Sequence, residues 1–334
     1  MSNLVFEDRS MYNRELKENF LRRYPEHTWN AYKRIFYYSE PLEQMYQTDL
    51  YEFHLDQIGE IIRTMEPSSL ASVKAAVSVI KSYIDWAISY RTNNLNPLDV
   101  IHADWEKKFV DTSKKLYWSY EEIQEILDNC LNAQDAVIIA LLFEGASGKE
   151  VSELRNLTYK DIDFATNTVR LVNEKAAERT ITVSARCLQL LKEAWQQTEY
   201  LKRNGHLSAN ARNIKPTSDL LQTGYIIKPA NTKNVHLAQV NAHVIYSRLS
   251  IISELFDLPH FTVKNIQRSG MIYWAKVLLE RDGKLQRKQL HEICEKFDVS
   301  KIDNHGYIQY NTFGLKDYIN LGMIHKLYGE GSSE

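Results

Sequence analysis

The chain has 334 residues and is poor in the features that would staple, anchor or polarise it. Its three cysteines, Cys130, Cys187 and Cys294, lie far apart and are odd in number, so they support neither a disulfide framework nor a zinc cluster. A reducing cytoplasm is the default expectation for such a chain. The longest apolar run, Ala136 to Phe143, falls far short of a membrane span, and the N-terminus is polar rather than a signal peptide. Charge of one sign is lacking too: the net charge is −2 and the pI near 6.6, so any affinity for nucleic acid must come from local clustering. Phosphate-cradling glycine motifs, His-Glu-x-x-His and Gly-x-Ser-x-Gly are absent, and His236, His243 and His260 lack metal-ligand spacing. No metal or cofactor is expected. No internal repeat occurs, and the only low-complexity segment is the tail at 329–334, expected to be flexible.

What is present is helical patterning on a length sufficient for two cores. After a polar lead-in over residues 1–10, the stretch from Met11 to Tyr38 is dense in aromatics (Phe20, Tyr24, Trp29, Tyr32, Phe36, Tyr37) and is broken by Pro25, and Pro41 restarts the chain. Leu50 to Met65 predicts a helix burying Phe53, Ile58, Ile61 and Ile62. Ser68 or Ser69 caps the next, over 70–91, with Val73, Val77, Ile80, Ile84, Ala87 and Ile88 inward and Lys74, Lys81 and Arg91 opposite. That basic side suits phosphate contacts, and a solvated helix face has the same look. A linker follows, and Ser119-Tyr120-Glu121-Glu122 opens a new helix with a capping box. The apolar helix near 133–144 is buried on all sides. Two β-branched runs, 168–172 and 179–183, flank Asn173-Glu174-Lys175-Ala176-Ala177-Glu178 and read as a hairpin. A helix at 184–202 ends at Asn204-Gly205, residues 205–235 are irregular, and a helical period resumes from Val240 to Phe256.

Two stretches carry chemistry. The first is Ser147-Gly148-Lys149-Glu150-Val151-Ser152-Glu153-Leu154-Arg155-Asn156-Leu157, followed by Asp161-Ile162-Asp163. The second is Lys264-Asn265-Ile266-Gln267-Arg268-Ser269-Gly270, which opens a segment to Lys288 holding seven basic residues against Glu280 and Asp282. That segment is the best electrostatic footprint in the chain, although a solvated helix and loop would also produce it.

These stretches resemble the two conserved boxes of the tyrosine recombinases, the phage integrase family, and Tyr83-Ile84-Asp85-Trp86-Ala87 with Asn96-Pro97-Leu98 resembles the end of that family's small core-binding domain. The resemblance implies a mainly α fold with a small β-hairpin or sheet, arranged as a two-domain clamp on double-stranded DNA. The implied parts are a helical core-binding domain (1–105), a linker (106–118) and a catalytic-type domain (119–328). In the family, arginines of both boxes hold the scissile phosphate while a tyrosine attacks. Here Glu150 stands at the first arginine. A second-box frame with Ile266 buried puts Lys264 at the histidine and Gln267 at the second arginine. A frame shifted by one would make Arg268 the arginine and bury Gln267. Val299 stands at the later histidine. Lys175 matches the hairpin lysine and Arg179 a later arginine, and Tyr307, Tyr310 and Tyr318 are the candidate nucleophiles.

A carboxylate about 4 Å from a phosphate adds about 4 kcal/mol of repulsion at an effective dielectric near 20, and each 1.36 kcal/mol is about tenfold in rate. Glu150 has a structural alternative as well, a capping box with Ser147. With Lys175, Arg268, Tyr307 and Tyr310 as vestiges, the reading is a DNA binder without strand cleavage. Among known groups it resembles the integrase-like repressors of SPβ-type prophages. Phosphate contacts are expected from Lys74, Lys81, Lys149, Lys175, Arg179, Lys264 and Arg268. Self-association or a regulatory protein partner would fit such a role. Two other classes remain: an active recombinase with shifted residues, and a protein-interaction module.

Overall fold

The computed structural model describes residues 10–92, 94–206, 215–231, 238–304 and 306–329. Most of the polar lead-in, the tail beyond 329, His236 and much of the irregular stretch at 205–235 lie outside the described residues. The chain divides into two compact units, Met1–Lys114 and Lys115–Glu334.

The first unit contains helices α1 (Arg14–Leu21), α2 (Glu26–Tyr46), α3 (Leu55–Thr64), α4 (Leu70–Trp86) and α5 (Ala103–Lys107). Its core is the apolar set the periodicity marks: Phe20, Phe36, Phe53, Ile58, Ile61, Ile62, Val73, Ile80 and Ile84 are buried, joined by Tyr83. Ser69 caps α4 by accepting from the Ser72 amide. Pro41 does not restart the chain, because α2 runs through it. A proline forfeits one helical hydrogen bond. What holds the helix on both sides is a buried ion pair: Lys17 Nζ lies 2.6 Å from Glu43 Oε1, and both side chains are fully buried. Ser39 and the Leu50 amide donate to the same carboxylate. Arg91 does not share the outward side of α4 with Lys74 and Lys81. It lies beyond the end of α4, is buried, and donates to the Tyr51 and Phe53 carbonyls, the latter at 3.3 Å, so it faces no phosphate. The expected linker is anchored at both ends: the Phe109 ring closes over Gly59, and Trp118 is buried in the core of the second unit.

The second unit begins with α6 (Tyr120–Asn129), whose Ser119–Glu122 capping box is formed reciprocally, and α7 (Ala133–Glu144), buried along its length. The short α8 (Ser152–Asn156) leads into an antiparallel three-stranded sheet of β1 (Ile162–Asp163), β2 (Thr168–Val172) and β3 (Glu178–Thr182), with Val169 paired to both Ile162 and Ile181. Next come α9 (Ala185–Gln196), β4 (Glu199–Leu201) paired with β5 (Thr217–Asp219), α10 (Ala242–Leu255), α11 (Val263–Asp282) and α12 (Arg287–Lys296). The helix expected to reach 202 stops at Gln196, because the Asn132 side chain captures the Leu201 amide at 2.8 Å and holds the segment extended. The unit closes with a hairpin, β6 (Lys301–Asn304) and β7 (Tyr307–Tyr310), and α13 (Leu321–Tyr328). Helices α7 and α11 touch at Gly270, where a Cβ would sit 1.9 Å from the Phe143 carbonyl oxygen.

Candidate nucleic-acid interface

The first box is a turn, Lys149–Val151, running directly into α8. Glu150 and Val151 both adopt left-handed backbone, with φ of 53° and 52°. For a β-branched valine this is an uncommon and costly conformation. It buries Val151 and turns Glu150 outward, where its carboxylate has no partner among the described residues. The capping box expected between Ser147 and Glu150 does not form. Glu153 takes that place, its Oε2 accepting from the Ser147 amide at 2.5 Å.

Glu153 is itself almost wholly buried and is neutralised by Arg179 of β3. The guanidinium binds it bidentately, with Nε to Oε1 at 2.6 Å and Nη2 to Oε2 at 2.7 Å. The same group donates to the Lys296 and Gly145 carbonyls, each at 2.7 Å. Arg179, expected on a phosphate, is therefore committed to the fold, tying β3, the first box, the end of α7 and the end of α12 together.

The turn between β2 and β3 docks on the first box. Glu174 Oε2 accepts from the Lys149 amide and from the Ser152 hydroxyl, both at 3.1 Å, and Asn156 donates to the Val172 carbonyl at 2.8 Å. This leaves Lys175 exposed at the tip of the turn and Lys149 exposed beside it. The second box opens α11, capped by Thr262. Ile266 is fully buried and Gln267 only half-buried, which supports the frame with Gln267 at the second arginine position. The Gln267 amide donates to the Ala146 carbonyl at 2.9 Å, so the second box is fastened to the residue preceding the first. Ser269 accepts from the Trp118 amide and donates to the Asn265 carbonyl.

Bonds thus link the first box to both the turn and the start of α11. Lys149, Lys175 and Lys264 have exposed side chains and form no salt bridge among the described residues. Burial of its stem, then the nearby Arg268 guanidinium, lowers the Lys264 pKa. Arg268 is half-buried over the Tyr318 ring, 4.7 Å from its centroid, and interacts with Tyr117 and Tyr318.

Tyr318 is a core residue: its hydroxyl lies 3.1 Å from Met271 Sδ, and burial pushes its phenol up to about 12. Tyr307 is exposed on β7, and Tyr310 packs against His291 and under Lys301. No contact joins either tyrosine to Arg268 or Gln267 among the described residues. Val299 packs against the apolar cluster around α11 and α12. The basic segment 264–288 is partly neutralised, since Lys276 pairs with Glu280 at 2.8 Å and Arg281 with Asp282 and Glu292 at 2.7 and 2.9 Å. In the first unit Lys74 is exposed, whereas Lys81 pairs with Asp99 at 2.5 Å.

Sequence reasoning missed two groups. Glu174 lies in the same turn as Lys175, and an acid beside a lysine carries no local sign of the contacts it makes. Lys296 gave no local signal: it packs on the Trp274 ring and donates to the Thr182 carbonyl at 2.9 Å, and burial lowers its pKa.

A small helical unit, followed by a larger one in which two boxes and a hairpin turn converge, is the architecture of a tyrosine recombinase with core-binding and catalytic-type domains. The chain belongs to the MrpR family: residues 11–89 match "MrpR, N-terminal core-binding domain" and residues 117–329 match "MrpR, C-terminal catalytic domain". It is 31% identical over 324 residues to the SPbeta prophage-derived uncharacterized protein YopR of Bacillus subtilis (strain 168), spanning 96% of this chain and 97% of that one. Tyrosine recombinase XerC of Staphylococcus aureus is 26% identical over 195 residues, 55% of this chain and 62% of that protein. Among solved structures, the Tn1549 transposon integrase in complex with circular intermediate DNA aligns with a TM-score of 0.47 at 17% identity, covering 92% of this chain and 98% of that one. The protein is thus integrase-like and related to SPbeta prophage proteins. Among the described residues no helix is long and apolar enough to cross a membrane.

Proposed function

We propose that this protein binds double-stranded DNA at specific sites, without cutting it, as a transcriptional repressor of a prophage in the bacterial cytoplasm. The observation that carries this reading lies at the two arginine positions of the recombinase boxes. One holds Glu150, an outward carboxylate. The other holds Gln267, whose amide is bound to the Ala146 carbonyl. Charge that would stabilise a pentacoordinate phosphate is missing from one and reversed at the other.

Lys149, Lys175 and Lys264, with Arg268 behind them, supply the backbone contacts that position a protein on a duplex, and Lys74 adds one from the first unit. Lys81 contributes on exchanging Asp99 for a phosphate. The step from binder to repressor rests on kinship with the SPbeta prophage protein.

The test is recovery of bound fragments from genomic DNA by the purified protein. The recovered sites are then titrated at two salt concentrations against scrambled duplex, and incubated as nicked suicide substrates. A shared motif bound far more tightly than scrambled DNA, with no covalent adduct, is the expected result. Sequence-indifferent weak binding would refute the repressor reading, and a trapped tyrosine adduct would establish a working recombinase.

A further inference from the structure

The turn that carries Lys175 is fastened to the first box by an acid. Glu174 receives the Lys149 amide and the hydroxyl of Ser152, a fully buried residue. Its carboxylate lies below the usual range, held there by its own backbone amide, by the Lys149 amide, by the Ser152 hydroxyl and by the charge of Lys175. A main-chain N–H, a hydroxyl and flanking lysines are the partners that a phosphodiester oxygen takes in protein–DNA contacts. Glu174 presents an oxygen of the same charge to the same donors.

We propose that Glu174 is an internal anion filling the phosphate slot of the first box in the free protein, so that a DNA phosphate reaches the Lys149 amide and Ser152 hydroxyl only by displacing it. The proposal rests on the DNA-binding reading above and deepens it. Arbitrary duplex leaves Glu174 in place and lacks this contact, so Glu174 lowers the affinity for DNA at large. An operator whose base contacts seat a phosphate in the slot displaces Glu174.

The structure allows the exchange. Glu174 is on the exposed side of the turn, and the turn keeps its shape through Asn173. The Asn173 Oδ1 accepts from the Lys175 and Ala177 amides at 2.9 and 3.0 Å, and its own amide donates to the Ala177 carbonyl at 3.0 Å. Release of Glu174 therefore frees two donors without unfolding the turn.

The test uses the full chain and a short random-sequence duplex, with affinity followed by fluorescence anisotropy across a salt series. Glu174→Gln is expected to tighten binding about tenfold, the effect of one charge-assisted hydrogen bond. The slope of log affinity against log salt is expected to steepen by about 0.9, one added phosphate contact. Glu178→Gln makes the same charge change on an exposed residue outside the slot, paired with an Arg170 that Asp161 still holds, and should leave the slope unchanged. Adding Ser152→Ala to Glu174→Gln should remove most of the gain.

An unchanged slope in Glu174→Gln, or an equal change in Glu178→Gln, overturns the proposal. Acylation of lysines read by mass spectrometry gives an independent check: duplex should protect Lys149 and Lys175 more strongly in Glu174→Gln than in the wild type, and equal protection overturns it. If the wild type binds its recovered sites tightly and Glu174→Gln changes nothing, only this inference fails. If the wild type binds no DNA at all, the underlying reading fails with it.

Discussion

Replacing Arg179 with alanine separates two readings of one residue. The recombinase resemblance places Arg179 on a phosphate, whereas the structure places it beneath the first box, bound bidentately to Glu153 and to two carbonyls. Glu153 is 1% exposed and Arg179 18% exposed, so water cannot replace the guanidinium. Breaking a buried pair by removing one partner costs about 3–5 kcal/mol, because the remaining charge is left uncompensated. Two orphaned carbonyl contacts add about 1 kcal/mol each. The second unit should therefore lose about 5–7 kcal/mol, a fall in Tm of about 10 °C or more for a domain of this size.

The two units give an internal control. Calorimetry or denaturant unfolding should show the transition of the second unit moving down while that of the first stays in place. Arg179→Lys should recover only part of the loss, since an ammonium cannot match the fork of a carboxylate. The double change Glu153→Leu with Arg179→Leu should be far milder than Arg179→Ala, because no buried charge remains. A variant Arg179→Ala that unfolds within about 1 kcal/mol of the wild type, yet binds duplex with a shallower salt slope, would refute this assignment and return Arg179 to the interface.

Three further outcomes follow from the same geometry. Gly270→Ala puts a methyl 1.9 Å from the Phe143 carbonyl oxygen, so it should force α7 and α11 apart and destabilise the second unit by about 3 kcal/mol or more, measurable by urea unfolding. Burial alone would raise the Asp161 carboxyl, but hydrogen bonds from the Thr158 hydroxyl and amide and from Arg170 hold it below the ordinary value. With its folded pKa depressed, its contribution is present above the unfolded pKa and is lost as pH falls through the folded one. Stability should therefore drop more steeply in acid for the wild type than for Asp161→Asn, and carboxyl NMR titration should place Asp161 below a model peptide. Lys264→Ala should weaken binding uniformly across DNA sequences and reduce the salt slope by about 0.9, whereas loss confined to one operator position would show that Lys264 reads a base.

How far the sequence could be read depended on the range of the interaction. Helix starts at Ser69 and Ser119 were legible because a cap and its amide are three residues apart. The inward faces of α3 and α4 were legible because their period is local. Pro41 misled because the forces that carry α2 through it come from Lys17, 26 residues from Glu43. Arg91 and Arg179 misled for a related reason: an arginine on a solvated face and one on buried carbonyls have the same neighbours in sequence, and only the fold brings Tyr51 or Glu153 to them.

The two boxes themselves divide by task. Ile266, Ser269, Gly270, Glu153 and Leu154 match the recombinase pattern, and each does architectural work: a buried side chain, a bond to the Trp118 amide, a helix crossing without room for a Cβ, a neutralised acid. The departures, Glu150, Gln267 and Val299, fall where that pattern puts groups that would meet a reacting phosphate. A change at Gly270 or Glu153 would cost the fold several kcal/mol, whereas Glu150 is exposed. The fold thus rests on the matching residues, while Glu150 and Gln267 leave the positions that the resemblance aligns with arginine without positive charge.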